Sequence, residues 1–351
     1  MTLKAPLRVG VVGCGWQGGE LTKAVLRLES LRLAACADPD QAAANRVAAL
    51  GINVTTHISC EALLVESEVD AVLIATPHHV LGPATLAVVQ AGKHVMVEKP
   101  LALNEREAAQ IERAVADAGV CYLAGYSMRF SMGQVVKDLL VAGAVGTVRA
   151  ISASMGIGPL NEGWAAYPET GGGPLLYVGS HLIDMVLWFV EDEPIMVQAS
   201  VEHRPDTGAD QTAAFRVHFA KGAVAQCLTT QATAGFFYDF HIWGSDGDIA
   251  LRGRNFLQYD IEVVSRVMNA YKDPAILRPM VWLDNAQKML VPELEAFADA
   301  ILNGSVPPVT IADGRRVLRM LDAVLLSSQH HQPIGLGFSS RELADLHQAA
   351  T

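Results

Sequence analysis

The sequence predicts a two-domain α/β protein: a doubly wound, parallel-stranded nucleotide-binding domain followed by an α+β domain with a large open sheet. Three observations support this fold class. Short apolar runs alternate with stretches of helical spacing through residues 1–125. A GxGxxG motif separates the first apolar run from the first helical stretch. Beyond about residue 190, strand-like runs follow one another without helices, which is typical of an antiparallel sheet.

Length and composition limit the class of protein. A chain of 351 residues suits two domains, and 51% hydrophobic with 18% charged residues provides material for large buried cores. The formal net charge is −11 with no basic tract, so nucleic acid is not an expected partner. The five scattered cysteines lack CxxC spacing and the histidines lack HxxxH spacing, so we expect no disulfides and no metal site. We expect a cytoplasmic protein without a membrane span or signal peptide.

The elements of the first domain follow one another as apolar strands and amphipathic helices. Near-continuous apolar strands between helices indicate a parallel sheet covered by helices on both faces. The predicted strands are Leu7–Val12, Leu31–Ala37, Ala71–Ala75, Val95–Val97 and Val120–Ala124, and the clearest helical stretches are Pro83–Ala91 and Asn104–Ala118.

The second domain begins differently. A glycine-rich run at residues 171–173 precedes a helix predicted from about Gly179 to Val190. The segments VPELEAFADAIL and RRVLRMLDAVLL then return to helical spacing near the C-terminus. We therefore divide the chain into residues 1–125, 126–335 and a tail at 336–351. The predicted strands of the second domain are Met196–Glu202, Thr212–Phe219, Ala223–Thr230 and Phe237–Trp243.

The glycine motif predicts a dinucleotide site because a strand precedes it and a helix follows. Gly13 permits the tight turn, Gly15 lets the backbone approach a pyrophosphate, and Gly18 lets the helix pack closely. Asp38, at the end of the next strand, would accept hydrogen bonds from ribose hydroxyls and repel a 2′-phosphate, so NAD is favoured over NADP. An ordinary turn is the alternative reading of Asp38. The predicted cofactor residues here are Gly13, Cys14, Gly15, Trp16, Gln17, Gly18 and Asp38.

Two later strand ends belong to the same predicted crevice. Ligands of doubly wound sheets bind outside the carboxyl ends of the strands. The ATPHH segment there supplies Thr76, Pro77 and His79, and the EKP segment supplies Glu98 and Lys99. Taken singly, each segment is also consistent with a surface turn.

With these residues in hand, the sequence resembles the glucose–fructose oxidoreductase / inositol dehydrogenase / rhizopine-catabolism (Gfo/Idh/MocA) family. The matching stretches run in family order from about residue 7 to about 335. They are GCGWQG, ATPHH, AGKHVMVEKPLA, RFSMGQVVKDLLVAGAVGTV, GGG…GSHLID, WGSDGDI and ELEAFADAILNG. The resemblance implies a Rossmann domain, a second domain with a large open sheet often used for dimer or tetramer formation, and oxidation or reduction of a sugar or cyclitol carbon with NAD or NADP.

The resemblance also implies site residues. The family's lysine of EKP matches Lys99, and its GGGxxxDxGxHxxD motif is matched at Gly171–Gly173, Gly179, His181 and Asp184. The family's aspartate is replaced by Tyr177. In the ATPHH segment, His78 replaces the asparagine that commonly follows Thr-Pro, and Leu81 replaces a frequent histidine.

Tyr177, His181 and Asp184 are spaced i, i+4, i+7, which predicts that they share one face of a helix. Alone, the segment fits a hydrogen-bonded core histidine equally well. As a site, His181 suits proton transfer because its reference pKa lies at about 6.5. Lys99 would stabilise charge on the reacting oxygen, and Asp184 would bind a neighbouring hydroxyl or orient His181.

Three roles stay open for Tyr177. As a neutral residue in place of aspartate, it would leave His181 with a lower pKa than in aspartate-bearing relatives. It would alternatively be the proton donor, with its pKa lowered by the Lys99 ammonium, or it would only shape the pocket. Arg129 and Trp164 are predicted substrate contacts, and Tyr167, Tyr238 and His241 lie in segments that could border the site or simply pack.

The function predicted from these residues is an NAD(H)-dependent oxidoreductase acting on a secondary alcohol or ketone of a sugar, cyclitol or related polyol. Aromatic residues near the glycine run leave a dihydrodiol or other aromatic-derived alcohol as an alternative substrate. A non-catalytic NAD-binding ligand sensor is the alternative of a different class, and the presence of both Lys99 and His181 argues against it.

Overall fold

The computed structural model describes residues 5–278, 284 and 286–337. Contacts within the chain divide it into two compact units, each with its own sheet. The first unit takes the described residues within Met1–Leu103, Glu107–Phe130 and Leu283–Arg315, and the second takes those within Asn104–Arg106, Ser131–Trp282 and Arg316–Thr351. The units are therefore discontinuous, unlike the predicted boundaries 1–125 and 126–335. Most of the predicted tail, 336–351, lies outside the described residues.

The first unit is a Rossmann fold. Its six strands are all parallel and lie in the order β3-β2-β1-β4-β5-β6, so the order reverses between β1 and β4. Strand β4 is apolar on both faces and all four of its residues are fully buried. The elements are β1 Leu7–Val12, α1 Trp16–Val25, β2 Leu31–Ala37, α2 Gln41–Ala48, β3 Thr55–His57, α3 Cys60–Glu66, β4 Ala71–Ile74, α4 His78–Gln90, β5 His94–Glu98, α5 Glu105–Ala118 and β6 Tyr122–Gly125.

A distant helix completes the first unit's core. Leu294 and Phe297 are fully buried in the same apolar cluster as Val9, Leu21 and Leu33 of the sheet and its first helix. They lie on α9, which spans Val291–Asn303 and follows a π-helical turn at Ala286–Leu290. The sequence-based boundaries placed this segment in the second domain, because a local pattern shows that a helix is amphipathic but not which surface it covers.

The second unit is built on a nine-stranded sheet in the order β14-β13-β12-β11-β7-β10-β9-β8-β15, antiparallel except where β7 meets β10. Helix α8 packs on β7 and β10 and is buried along most of its length. The elements are α6 Met132–Val141, β7 Val148–Gly156, α7 Pro174–Tyr177, α8 Gly179–Val190, β8 Pro194–His203, β9 Asp210–Phe219, β10 Val224–Thr230, β11 Phe237–Gly244, β12 Gly247–Gly253, β13 Tyr259–Ser265, β14 Ala275–Leu277, α10 Ile311–His330 and β15 Ile334–Gly335.

The predicted fold class is confirmed, and several element bounds agree closely with the structure. Strands β1 and β2 and helix α8 have the predicted ends. Strands β3, β7, β12, β13, β14 and β15 were not predicted. Of these, β3 is short and partly exposed, and β7 alternates small and polar residues in the manner of a loop. In the described part of the chain no single helix is long and apolar enough to cross a membrane, although the bent pair Pro168–Tyr177 and Gly179–Val190 passes that test by length and composition alone.

Candidate active site

The loop between β1 and α1 has the geometry of a phosphate cradle. Gly13 has φ of 89°, and a Cβ there would lie 2.5 Å from the carbonyl oxygen of Ala75. A Cβ at Gly18 would lie 1.9 Å from the oxygen of Gly13, so α1 can approach the loop this closely only with glycine at position 18. Gly15, the N-cap of α1, has open space around its Cβ position and no side-chain capping bond. The positive end of α1 therefore faces an accessible surface, which fits a pyrophosphate.

Asp38 lies at the mouth of this loop. One of its carboxylate oxygens accepts the Cys14 N–H at 2.7 Å, and the other accepts the Asp40 N–H at 2.8 Å. The carboxylate is half-buried and its orientation is fixed by the backbone, with further lone pairs to offer ribose hydroxyls. Trp16, directly after Gly15, is 68% exposed. The residues of the loop and Asp38 thus fit a dinucleotide in chemistry and in shape.

The end of β5 carries a buried group of titratable side chains. Glu98 is buried, accepts a hydrogen bond from the Gln17 amide, and is followed by Lys99. Burial raises the pKa of Glu98, while the Lys99 charge and the Gln17 bond oppose that rise. The side chain of Lys99 is partly exposed, yet desolvation of its ammonium lowers its pKa to about 8, against the opposing effect of Glu98. Lys99 can therefore hold or release its proton near neutral pH.

Glu293 is a member of this group that the sequence did not reveal. It is fully buried on α9, and neither carboxyl oxygen has a hydrogen-bond partner among the described residues. Burial, and then repulsion from Glu98, raises the pKa of Glu293 well above the usual value, which favours the uncharged form of the carboxyl. In the sequence it resembles an ordinary acidic residue in the first turn of an amphipathic helix.

The remaining predicted residues of the first unit lie at its strand ends. Thr76 and Pro77 follow β4 and lead into α4, where His78 is buried and His79 is exposed. Arg129 is buried, and its guanidinium lies 3.5 Å from a carboxylate oxygen of Asp313. This ion pair gives Arg129 a structural role within the first unit.

The wall predicted around His181 is not a single helix. Tyr177 ends α7, Val178 leaves the regular helix at φ −112°, ψ −27°, and α8 begins at Gly179. The axes of the helical segments Pro168–Tyr177 and Gly179–Val190 differ by 47°, so the three residues do not lie on one continuous helix as predicted. His181 and Asp184 do share one face of α8 at i, i+3 spacing, and both are buried, at 7% and 1% exposure.

The break gives Tyr177 a different neighbour. Its ring stacks on Trp164, with ring centroids 5.7 Å apart and planes at 29°. Both rings are partly exposed, so they form an aromatic surface that solvent can reach. The structure thus brings together two residues that the sequence proposed separately.

Three further residues have packing contacts of their own. Tyr167 is 46% exposed, just before the glycine run. Tyr238 is buried and donates its hydroxyl to the carbonyl of Asn255 at 3.0 Å. His241 stacks on Trp243 at 4.0 Å and lies 3.0 Å from a carboxylate oxygen of Asp248. These contacts explain Tyr238 and His241 as parts of the sheet.

Comparison with known proteins identifies the family. Residues 7–126 match the family described as "Oxidoreductase family, NAD-binding Rossmann fold", and residues 134–250 match "GFO/IDH/MocA C-terminal domain". The chain belongs to the Gfo/Idh/MocA family. It is therefore an NAD(P)-dependent oxidoreductase, and the resemblance drawn from its motifs is confirmed.

Named relatives act on sugars and diols. The chain is 29% identical over 275 residues to 1,5-anhydro-D-fructose reductase of Ensifer adhaerens, covering 76% of this chain and 78% of that protein. It is 31% identical over 232 residues to trans-1,2-dihydrobenzene-1,2-diol dehydrogenase of Danio rerio, covering 64% and 69%. Levoglucosan dehydrogenase in complex with NADH and L-sorbose shares the fold, with a TM-score of 0.86 at 19% identity over 96% of this chain and all of that one.

Proposed function

We propose that this protein is an NAD(H)-dependent oxidoreductase that transfers a hydride to or from a secondary alcohol or ketone carbon of a sugar, cyclitol or related polyol. The observation that carries the proposal is Lys99. Its ammonium lies at the end of β5, in the same unit as the glycine loop and Asp38, and has a pKa lowered to about 8. A cation at this place in a Rossmann unit suits the stabilisation of an oxyanion.

The preference for NAD rests on Asp38. Its fixed carboxylate would accept ribose hydroxyls and would repel a 2′-phosphate. When bound, the nicotinamide ring would supply hydride acceptance or donation. The chain's own residues position that cofactor through the glycine loop and Asp38, and act on the substrate's oxygen.

The proton of the reaction is assigned to His181. In the oxidising direction the substrate carbon would give its hydride to the bound nicotinamide, and the hydroxyl proton would pass to the His181 imidazole and from there to solvent. Asp184, on the same face of α8, would orient His181 or bind a neighbouring hydroxyl. Lys99 would donate a hydrogen bond to the oxygen as its negative charge develops.

One observation favours a second substrate class. The accessible Trp164–Tyr177 stack offers an aromatic surface for a flat ring, and the dihydrobenzenediol dehydrogenase relative acts on such a molecule by its name. A cyclic dihydrodiol is therefore the alternative substrate. The cytoplasmic location and the homo-oligomeric state expected from the sequence stay predictions.

A substrate panel tests the proposal. Sugars, inositols and dihydrodiols would be assayed with NAD⁺ and NADP⁺, and the matching ketones with NADH, by the absorbance of the reduced nicotinamide. We expect turnover of one class with NAD⁺, and a loss of about 10²-fold or more in kcat/KM in Lys99→Ala. Lys272→Ala, at an exposed lysine, is the matched control. Tight NAD binding by calorimetry without turnover in either direction would instead identify a sensor.

A further inference from the structure

Two buried polar residues lie at adjacent ends of neighbouring strands in the second unit's sheet. Asp210 is the first residue of β9 and is 9% exposed, and Gln231 directly follows β10 and is 3% exposed. They are joined because the Gln231 side-chain amide donates to the Asp210 carbonyl oxygen at 2.7 Å. The Gln231 backbone N–H also donates to the carbonyl of Gln211 at 2.9 Å, which fixes the backbone position from which the Gln231 side chain extends.

Asp210 holds the start of α7. Its carboxylate accepts the N–H of Leu175 at 2.7 Å and so satisfies a donor that the helix itself cannot. The carboxylate lies against Gly173, where φ is 98° and a Cβ would fall 1.9 Å from a carboxylate oxygen. The glycine run is therefore shaped to this aspartate. Desolvation raises the Asp210 pKa to about 7, so the fold maintains this bond against a penalty.

Gln231 holds the segment that leads to the other ring of the aromatic stack. Its side-chain oxygen accepts the N–H of Leu160 at 2.8 Å. Arg204 reinforces the same turn by donating to the Asn161 side chain at 2.7 Å and to the Leu160 carbonyl at 3.2 Å. The chain then continues through a short 3₁₀ turn, Gly163–Ala166, that carries Trp164.

The two anchored segments meet again at the stack. The Gly173 N–H donates to the carbonyl of Ala165 at 3.1 Å, and the Tyr177 and Trp164 rings lie 5.7 Å apart. One ring therefore depends on the Asp210 bond and the other on the Gln231 bond, and Asp210 and Gln231 are bonded to each other.

We propose that Asp210 and Gln231 are positioning residues that set the Trp164–Tyr177 surface and, through it, which ring-shaped substrate the enzyme prefers. The inference rests on the proposed function, because it takes this aromatic surface to border the substrate. A surface of two stacked rings suits the C–H face of a pyranose or cyclitol, or the flat face of a dihydrodiol. Its exact spacing would decide between them.

The test uses Asp210→Ala, Asp210→Asn and Gln231→Met in the full chain. In the alanine and methionine variants we expect KM to rise about tenfold with a much smaller change in kcat, and the ratio of kcat/KM between sugar and dihydrodiol to change. Asp210→Asn keeps an acceptor for Leu175 and should recover most of the loss. NAD affinity by calorimetry should be unchanged. Gln226→Met is the matched control, because Gln226 lies on β10, the strand that directly precedes Gln231.

A second readout is independent of turnover. The fluorescence of Trp164, isolated by subtracting the spectrum of Trp164→Phe, should change in Asp210→Ala and Gln231→Met but not in Gln226→Met. A change of this signal without any turnover in the panel supports the positioning role and refutes the proposed function instead. Unchanged fluorescence with unchanged KM overturns the inference. So does a changed signal that leaves KM and the substrate ratio as in the wild type.

Discussion

Replacing Glu98 by glutamine should move the pH range in which Lys99 is charged. The Lys99 pKa lies at about 8 against an ordinary 10.5, a net destabilisation of the ammonium by about 3 kcal/mol. Desolvation causes this shift and the Glu98 charge opposes it. A neighbouring opposite charge shifts a pKa by roughly 1–3 units, so without the Glu98 charge the Lys99 pKa should fall to roughly 5–7. Glutamine keeps an acceptor for the Gln17 amide.

The assay is kcat/KM against pH with the substrate that the panel identifies. Activity that needs the ammonium is lost as pH rises through the Lys99 pKa, so the alkaline limit should move to lower pH in Glu98→Gln. The double variant Glu98→Gln/Glu293→Gln tests whether Glu293 ionises in place of Glu98 once Glu98 has been made neutral. Glu295→Gln, at an exposed position of α9, is the control. An alkaline limit that stays in place or moves upward would refute the assignment of Lys99 as the charged group beside Glu98.

Five other substitutions test the site. Gly18→Ala places a Cβ against a backbone oxygen and should destabilise the fold by about 2 kcal/mol or more in denaturant unfolding. Gly15→Ala places its Cβ in open space, so its stability should stay near that of the wild type while NAD binding, measured by calorimetry, weakens. Asp38→Ala should lower NAD affinity about tenfold and narrow the preference over NADP; an unchanged ratio of the two Kd values would contradict its role. Glu293→Gln should be more stable than the wild type by an amount that grows as pH rises above about 4.5. The reason is that the wild-type carboxyl ionises at lower pH in the unfolded chain than in the folded one. Equal free energies of unfolding for the two proteins at every pH would show that the folded-state pKa of Glu293 is not raised. Tyr177→Phe should keep turnover within about threefold if the ring only shapes the pocket, and a loss of about 10²-fold would make its hydroxyl the proton donor.

The sequence predicts the first sheet well because its signals are local. Strands β1 and β2 are apolar runs that a single arginine interrupts in each, and the glycine motif fixes the turn between β1 and α1. The second sheet is predicted less well. Strand β7 reads as a loop, since its central position between β10 and β11 is decided by partners far away in the chain.

At the site, residue types are readable and their arrangement is not. The periodic spacing predicted one helix carrying both Tyr177 and His181, but the helix breaks at Val178, directly before Gly179. Glu293 and Asp210 escaped notice because nothing local distinguishes a buried carboxylate from a surface one. Only the tertiary partners of each, the Glu98 carboxyl and the Leu175 N–H, show that it is part of the site or its support.

The placement of α9 has a consequence for the order of synthesis. The Rossmann unit needs Leu294 and Phe297 to fill its core, and burial of two such side chains is worth roughly 3–6 kcal/mol. The ribosome makes the sheet first and this helix only after the part of the second unit that spans Ser131–Trp282. A nascent chain that has just finished its sixth strand therefore exposes an uncovered apolar surface until almost half of the chain more has been made. The Rossmann unit therefore gains the burial of Leu294 and Phe297 only after most of the chain has been made.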